Sequence, residues 1–343
     1  MEYSEASAYV YAKTSGMLRK TFVGKRSERL FSAQSLSSLW DVIFASPAPS
    51  VPEVMLADKI EREALKRFIG QYIKLLDSYS KPSPLSVELL RRYEIENLKS
   101  LASTQSQGQE AEEPLRIGAY GVFNYEAWPN IKLFTKGSVY DWYDTVPAFD
   151  ALVDYSFRLD LQRLHIIWRA ANLSADDAGK AVASYIQNHY SLKNMLWVLR
   201  LRVYYNMETK DILPHLFYAE MSAGKTDPFC AYAFDVLDRP LDSYEAWKDW
   251  KFSRFLNGYE EGVPWKINPM WIEQKIRIER ADAAFRIFHR YPMTDANLVM
   301  FFMIKLQELN CIRAAAEYIR LEADTKDAMY AAGIAGGAGK GVF

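Results

Sequence analysis

Residues 190–195 read YSLKNM, and this phrase decides how the chain is interpreted because it recurs on both sides. Residues 93–98 read YEIENL and residues 306–311 read LQELNC, each with asparagine as the fifth residue. Helical chains give chance matches of this length, so the phrase alone proves little. An asparagine fixed on a mostly apolar helix is typical of a side chain that satisfies neighbouring backbone groups.

The same order of predicted elements leads to each asparagine. A serine starts a short segment that contains a tryptophan, a long amphipathic segment follows, and the phrase comes last. The serines are Ser35, Ser138 and Ser243, and the asparagines are Asn97, Asn194 and Asn310. The distances from serine to asparagine are 62, 56 and 67 residues. We therefore predict three tandem copies of one helical unit.

The predicted units divide the whole chain. Their ranges are 1–112, 113–220 and 221–343. The tripeptide TKD occurs at both 209–211 and 325–327, which extends the alignment of the last two copies. Residues 104–114, TQSQGQEAEEP, have little to bury and are predicted to form a flexible linker or exposed loop. The glycine- and alanine-rich tail from Ala331 is predicted to be flexible, because glycine disfavours helix.

Apolar spacing predicts an all-α fold. Apolar residues recur every three or four positions from Ile60 to Leu76, from Leu152 to Ile167 and from Ile272 to Phe288, so each set lies on one helix face. Residues 115–133 are the least helical, and no strand hairpin is evident. Candidate helix N-caps are Ser83, Ser174, Thr209 and Thr294.

The composition excludes several classes of function. The 42 basic and 43 acidic residues nearly cancel, so no global basic field exists to bind nucleic acid. Cys230 and Cys311 lie among apolar residues, which predicts buried, reduced thiols and fits a cytosolic setting. The N-terminus is acidic where a signal peptide would be positive. The best apolar window, 296–304, is too short for a membrane helix.

No pattern in the sequence predicts catalysis, a cofactor or a metal site. The histidines lack metal-ligand spacing, and they are His165, His189, His215 and His289. His165 lies in an apolar run and is interpreted as structural. Residues 336–341, GGAGKG, lack the leading glycine and the final Ser or Thr of a phosphate-binding loop. The adjacent acids Asp176 and Asp177 are predicted to cap a helix rather than to bind magnesium.

The chain nonetheless resembles a known family over nearly its full length. Three segments carry the resemblance: YVYAKTSGMLRK at 9–20, YSLKNMLWVLRLRVYYNM at 190–207, and IKLQELNCIRAAAEYIR at 304–320. In the last segment the matching positions are Lys305, Glu308, Asn310 and Arg313. These segments resemble the C-type subunit of the archaeal and bacterial V/A-type rotary ATPases, the counterpart of the d-type subunit in eukaryotic vacuolar ATPases.

The resemblance implies a funnel of helices in three similar parts. It also implies a non-catalytic rotor subunit, present once per complex, on the cytoplasmic side of the membrane. Such a protein sits on the proteolipid ring, receives the tip of the central stalk formed by D- and F-type subunits, and could also contact the membrane-embedded stator. It would transmit torque for ATP-driven or ATP-synthesising ion transport.

Two charged stretches are candidates for facing partners. Arg200 and Arg202 alternate with apolar residues along a predicted helix. Glu273, Lys275 and Arg277 belong to a second stretch of mixed charge. Both stretches would also suit a solvated helix surface, where long side chains extend into water.

Two other functions remain open at this point. One is a helical-repeat scaffold that binds protein partners in a groove, although such repeats usually span about 34 to 47 residues and the offsets here are 97 and 116. The other is a helical enzyme, which would lose activity on Asp176→Ala and Asp177→Ala substitution.

Overall fold

The structure is a computed structural model that describes residues 2–323 and Met329. These residues form α-helices, short 3-10 helices and turns without any strand, which confirms the all-α class. The repeated tripeptide at 325–327 and the glycine-rich tail lie outside the described residues. The α-helices are α1 (Tyr3–Leu18), α2 (Glu28–Phe31), α3 (Leu36–Phe44), α4 (Glu53–Leu76), α5 (Pro84–Leu90), α6 (Arg92–Ser106), α7 (Ile131–Thr135), α8 (Leu152–Ala171), α9 (Asp177–Tyr205), α10 (Thr209–Ile212), α11 (Ala231–Val236), α12 (Pro269–Arg290) and α13 (Asp295–Arg320).

The three predicted amphipathic stretches are α4, α8 and α12, which we call the long helices. The three asparagines lie on α6, α9 and α13, which we call the asparagine helices. In α4, Ile60, Phe68 and Tyr72 are buried on one face, as their spacing predicts. The expected order of long helix before asparagine helix therefore occurs three times.

Two of the predicted N-caps are confirmed. The Ser83 hydroxyl accepts a hydrogen bond from the Ser86 N–H at 3.3 Å, and Pro84 occupies the first turn, where its missing N–H costs nothing. The Thr294 N–H donates to Asn297 Oδ1 at 3.1 Å at the start of α13. These bonds satisfy donors that a helix start otherwise leaves unpaired.

The other two predicted caps are wrong. Asp176 caps α9, because its carboxylate accepts a hydrogen bond from the Gly179 N–H at 2.6 Å, and Ser174 instead donates to that carboxylate at 3.0 Å. An ionised carboxylate is the stronger acceptor of the two side chains. Thr209 is already helical, since Glu208 occupies the cap position with extended backbone. The predicted capping role of the Asp176–Asp177 pair is thus confirmed.

The predicted irregular segments are largely confirmed. Residues 115–133 consist of turns and two 3-10 helices until α7 begins. The polar run 104–114 starts inside the last turn of α6 and is mostly exposed beyond it.

Four groups of buried apolar side chains hold the helices together. A central core combines α1, α5 and parts of all long and asparagine helices, and includes Phe68, Phe288 and Phe302. Each of three satellite cores lies between an asparagine helix and the next long helix: α6 with α8, α9 with α12, and α13 with α4. Burial of this much apolar area is the main source of stability in such a fold.

Each satellite core also contains a connecting segment of chain. In the first two satellites this segment runs directly from the asparagine helix to the long helix that follows it. In the third, between α13 and α4, the segment comes from the start of the chain and includes α2 and α3. Side-chain packing therefore crosses both of the predicted unit boundaries, and the division into 1–112, 113–220 and 221–343 stays a prediction.

Candidate functional site

A cavity of about 1250 Å³ lies between six helices, the three long helices and the three asparagine helices. The long helices line it with the turns near their N-termini, at 58–65 in α4, 152–160 in α8 and 273–281 in α12. The asparagine helices line it with α6 along most of its length, with residues 185–200 of α9 and with residues 303–313 of α13. We call this space the central cavity. Each predicted unit thus contributes two helices to its wall.

Three ion pairs connect the helices of this wall in sequence. Each pair joins a base on an asparagine helix to an acid on the long helix of the following unit. The pairs are Lys99–Asp160 at 2.6 Å, Arg200–Glu273, and Arg313–Glu61 at 2.6 Å. The third pair leads from the end of the chain back to its beginning. Ion pairs of this exposure stabilise by at most about 1 kcal/mol each, so they mainly fix which helices are neighbours.

Three of the five predicted partner-facing residues line the central cavity. They are Arg200, Glu273 and Arg277. Glu273 binds both arginines, pairing with Arg200 and accepting from Arg277 Nη2 at 2.9 Å. The structure therefore brings the two charged stretches together, across the contact between α9 and α12.

The other two predicted residues lie elsewhere. Arg202 Nη1 donates to the carbonyl oxygens of Val236 at 2.7 Å and Arg239 at 2.9 Å, at the end of α11. The Lys275 ammonium lies 5.0 Å from the centroid of the Trp271 ring. Neither side chain lines the cavity, and Arg202 holds backbone carbonyls.

The floor of the central cavity carries more basic than acidic side chains, and its acids are Glu96, which pairs with Arg92 at 3.8 Å, and Asp160, which pairs with Lys99 at 2.6 Å. Tyr93 and Tyr185 belong both to the cavity lining and to the central core, so the core closes this end. Beside them are the basic side chains Arg92, His189, Lys193 and Arg280. The Lys193 ammonium faces the cavity and lies 4.4 Å from the ring centroid of Phe217.

The pKa values of two floor residues are lowered, mainly by burial. Burial lowers the pKa of Lys193 to about 8, although its side chain still reaches the solvent of the cavity. Burial also lowers the pKa of His189 well below its ordinary value, and neighbouring positive charges lower it further. Those charges are on Arg280, Lys193, Arg92 and Arg163. A negatively charged group would be attracted to this floor.

Sequence analysis missed the floor residues, although α9 carried a signal. His189, Lys193, Trp197 and Arg200 follow one another at spacings of four, four and three, and all four line the cavity. A polar line on an otherwise apolar helix indicates a second, solvated face. The residues from α6 and α12 are separated from it by many positions in the chain, and no local spacing relates them.

The predicted backbone role of the repeated asparagine is confirmed in two copies. Asn194 Oδ1 accepts from the Phe217 N–H at 2.9 Å, and its Nδ2 donates to the carbonyls of Phe217 at 2.7 Å and Phe229 at 3.0 Å. Asn97 makes the same two-sided contact with Leu115, at 2.9 and 2.8 Å. Each side chain therefore holds the connecting segment that follows its helix.

The third asparagine, Asn310, is exposed and lines the central cavity. The backbone contact expected of Asn310 is made by the buried Glu308, whose Oε1 accepts a hydrogen bond from the Phe22 N–H at 2.8 Å. Glu94 in the first unit is the counterpart, because it accepts from the N–H groups of Val122 at 3.0 Å and Phe123 at 3.2 Å. Glu308 of the third copy therefore takes the structural position of Glu94, whereas Asn310 does not take the position of Asn97 and Asn194.

Three further residues singled out in the sequence have contacts or burial that indicate a structural role. His165 Nε2 lies 2.8 Å from the Tyr218 carbonyl oxygen. Cys230 and Cys311 are buried free thiols, as predicted, and burial raises their pKa values to about 12 and about 11.

In the described part of the chain, no helix has the length and apolar character needed to cross a membrane.

Comparison with known proteins gives one relationship across nearly the whole chain. No established family profile matches the sequence. An uncharacterized protein of Treponema pallidum (strain Nichols) is 31% identical over 326 residues. The matched region covers 93% of this chain and 94% of the Treponema protein, so the similarity extends through the helices of all three predicted units.

Proposed function

The chain belongs to one family with the Treponema pallidum protein, and we propose that it is a rotor subunit that couples the central stalk to the proteolipid ring of a V/A-type rotary ATPase. The sequence resemblance to the C-type subunit of these enzymes motivates the proposal. The central cavity with its positively charged floor is the observation that carries it.

The size of the central cavity suits an inserted helical tip. A helix about 10 Å wide has a cross-section of about 80 Å². With a volume of about 1250 Å³, the central cavity is large enough to admit a segment of helix. A stalk tip formed by the D- and F-type subunits would fit this space more closely than a folded domain would.

The charge of the floor predicts the chemistry of that tip. Lys193 and Arg280 would attract acidic side chains or the negative C-terminal end of a helix. Because the walls come from all three units, a tip held against them would pass torque into the whole body. The funnel shape and the threefold repeat are part of this proposal.

This role also implies a location. The protein would lie on the cytoplasmic side of the membrane, as one copy per complex, seated on the proteolipid ring and near the membrane-embedded stator. Its role would be mechanical and non-catalytic, and the ring and stator would set which ion moves.

The first test is co-purification from native membranes in mild detergent, followed by mass spectrometry of the proteins that elute with this chain. We expect the ring proteolipid and the stalk subunits. Elution as a free protein without any other part of the ATPase would contradict the proposal and favour the helical-repeat scaffold.

A second test separates the cavity from the rest of the surface. Lys193→Glu with Arg280→Glu reverses two charges of the floor, and we expect loss of the stalk subunits while the ring proteolipid still co-purifies. Lys180→Glu with Lys132→Glu makes the same charge change outside the cavity and should retain both. Thermal unfolding of each variant checks that it folds. Stalk retention by a folded floor variant would refute the assignment of the cavity.

A further inference from the structure

A second cavity, of about 410 Å³, lies outside the central one, between the segment after α1, the region of α2 and α3, and the helices α4 and α13. We call it the basic pocket. Its basic side chains come from four separate elements, and they are Arg19, Lys20, Arg26, Arg29, Arg67 and Lys305. Among the described residues, the only acid that lines it is Glu308. The chain as a whole has a net charge of −1, but the lining of this pocket has an excess of five positive charges.

Glu308 is already engaged and cannot neutralise the whole pocket. One of its oxygens accepts from the Phe22 N–H at 2.8 Å, and the other contacts the Lys305 ammonium. It therefore balances one of the six cations. The remaining five line the same pocket, whose described residues include no second acid to balance their charge.

The pocket arginines and lysine have few other partners. Arg67 Nη1 donates to the Ile43 carbonyl at 3.0 Å, and Arg26 donates to the Arg19 carbonyl. Within residues 2–323, no hydrogen bond or ion pair involves the side chains of Arg19, Lys20 or Arg29. Most of the donors that a bound anion would need are therefore available.

Lys305 is the most buried cation of the basic pocket. Burial lowers the pKa of the Lys305 ammonium to about 7, and the positive charge of Arg67 contributes in the same direction. An anion in the pocket would favour the protonated lysine, so its binding should be coupled to proton uptake above pH 7.

The size and walls of the basic pocket indicate a small ligand with an apolar part. Its volume lies in the range of small-molecule sites, about 300 to 1,000 Å³. This volume is about one third of that of the central cavity, which favours a small molecule over a docked helical segment. Phe22, Val42, Ile43 and Phe68 form an apolar wall beside the cations.

We propose that the basic pocket binds a small polyphosphate-bearing ligand. Guanidinium and ammonium groups from α2, α4, α13 and the segment after α1 hold the phosphates, since arginine pairs with phosphate oxygens in a planar, two-bond geometry. The apolar wall contacts the remainder of the molecule. This site is independent of the central cavity and of the proposed rotor function. The phosphates could belong to a free molecule or to a lipid headgroup.

The test is isothermal titration of the purified chain alone at 0.15 M salt. One arm uses tripolyphosphate, and the other uses phosphatidylcholine vesicles with and without 5% of a bisphosphorylated inositol lipid. We expect saturable binding in at least one arm. Binding of tripolyphosphate identifies a free ligand, and binding confined to the phosphorylated vesicles identifies a headgroup. No binding in either arm would overturn the proposal.

Matched variants establish that binding occurs in the pocket. Arg29→Ala with Arg67→Ala should weaken binding at least tenfold, whereas Lys132→Ala with Lys180→Ala, which removes two exposed cations elsewhere, should leave it within twofold. Equal losses in both would mean non-specific attraction and would refute the site. Lys305→Met should abolish the proton uptake that calorimetry in two buffers detects at pH 8. Binding of hexaglutamate as tight as that of tripolyphosphate would replace the phosphate ligand with an acidic peptide.

Discussion

The second and third units hold their connecting segments with different side chains, and the two segments lie at very different distances along the chain from those side chains. In the second unit Asn194 binds a segment that begins only a few residues after α9 ends. In the third unit Glu308 binds Phe22, which lies 286 residues away. The difference shows that the last asparagine helix packs against a segment from the start of the chain, in the place that the following segment takes in the other two units. The N-terminal residues therefore complete the third satellite core.

The largest effect is expected in the second unit. Asn194→Ala leaves the Phe217 N–H and the Phe229 carbonyl without the amide partner, and it leaves the Phe217 carbonyl with only the weak Cys230 thiol donor. Each full loss in the interior costs roughly 1–3 kcal/mol. We expect a fall of about 3–4 kcal/mol in the free energy of unfolding, measured with urea. Asn310→Ala is the matched control at the exposed position and should change it by less than about 0.5 kcal/mol. Similar losses at both positions would break the comparison.

A somewhat smaller and more local effect is expected in the third unit. Glu308→Gln keeps the size of the side chain, but it removes the charge that balances Lys305 and weakens the bond to the Phe22 N–H. We expect a loss of about 2 kcal/mol, since a buried ammonium is left uncompensated.

That variant should also release the N-terminal segment before the rest of the protein unfolds. Limited proteolysis should cut after α1, near Lys20 and Lys25, faster in Glu308→Gln than in Asn97→Ala. Equal protection of this segment in both variants would show that Glu308 does not hold it.

The three ion pairs between units should differ according to their exposure. Lys99 and Asp160 are about 18% and 28% exposed, whereas Arg313 is about 65% exposed. A double-mutant cycle with Lys99→Met and Asp160→Leu should give a coupling of about 1 kcal/mol, against about 0.3 kcal/mol for Arg313→Met and Glu61→Leu. Equal couplings would mean that solvent screening does not separate the two contacts.

Local patterns in the sequence were sufficient for the helices and for the first two asparagines. The spacing of Ile60, Phe68 and Tyr72 defines α4, and Asn97 and Asn194 bind backbone as expected. Side-chain spacing along one helix reflects local geometry, so such predictions hold. Ser174 failed as a cap because a stronger acceptor lay two residues further on.

The third copy was not predictable in the same way. Lys305 and Glu308 are three residues apart on one helix, a pattern typical of a surface ion pair. Only the fold shows that Glu308 is buried against the start of the chain. The cavities were also hidden, because their residues come from helices far apart in the sequence.

One repeated signal would have strengthened the threefold prediction. A Val-Pro dipeptide precedes each long helix, at 51–52, 146–147 and 263–264. The valines lie 46, 48 and 47 residues before the three asparagines, a narrower spread than that of the serines. Proline restricts the backbone of the segment that leads into each helix: Pro52 is the N-cap of α4, and Pro147 and Pro264 lie five residues before α8 and α12.

The smallest expected effect is the pH dependence of stability that Lys305 contributes beside Glu308. The pKa of Lys305 is lowered to about 7 in the folded protein, whereas an unfolded lysine has a pKa of about 10.4. Between these values the unfolded chain binds the extra proton, so this lysine makes stability rise with pH. Lys305→Met removes that contribution. Because the charge of Glu308 opposes the shift, we expect wild type to gain less than about 1 kcal/mol relative to Lys305→Met between pH 7 and 9.5. Urea unfolding of both proteins across this range measures the difference. A fall in the stability of the wild type relative to Lys305→Met over this range would mean that the ion pair with Glu308 outweighs the effect of burial on Lys305. The main contribution of Glu308 would then be a stabilising salt bridge to Lys305 rather than the hydrogen bond from the Phe22 N–H.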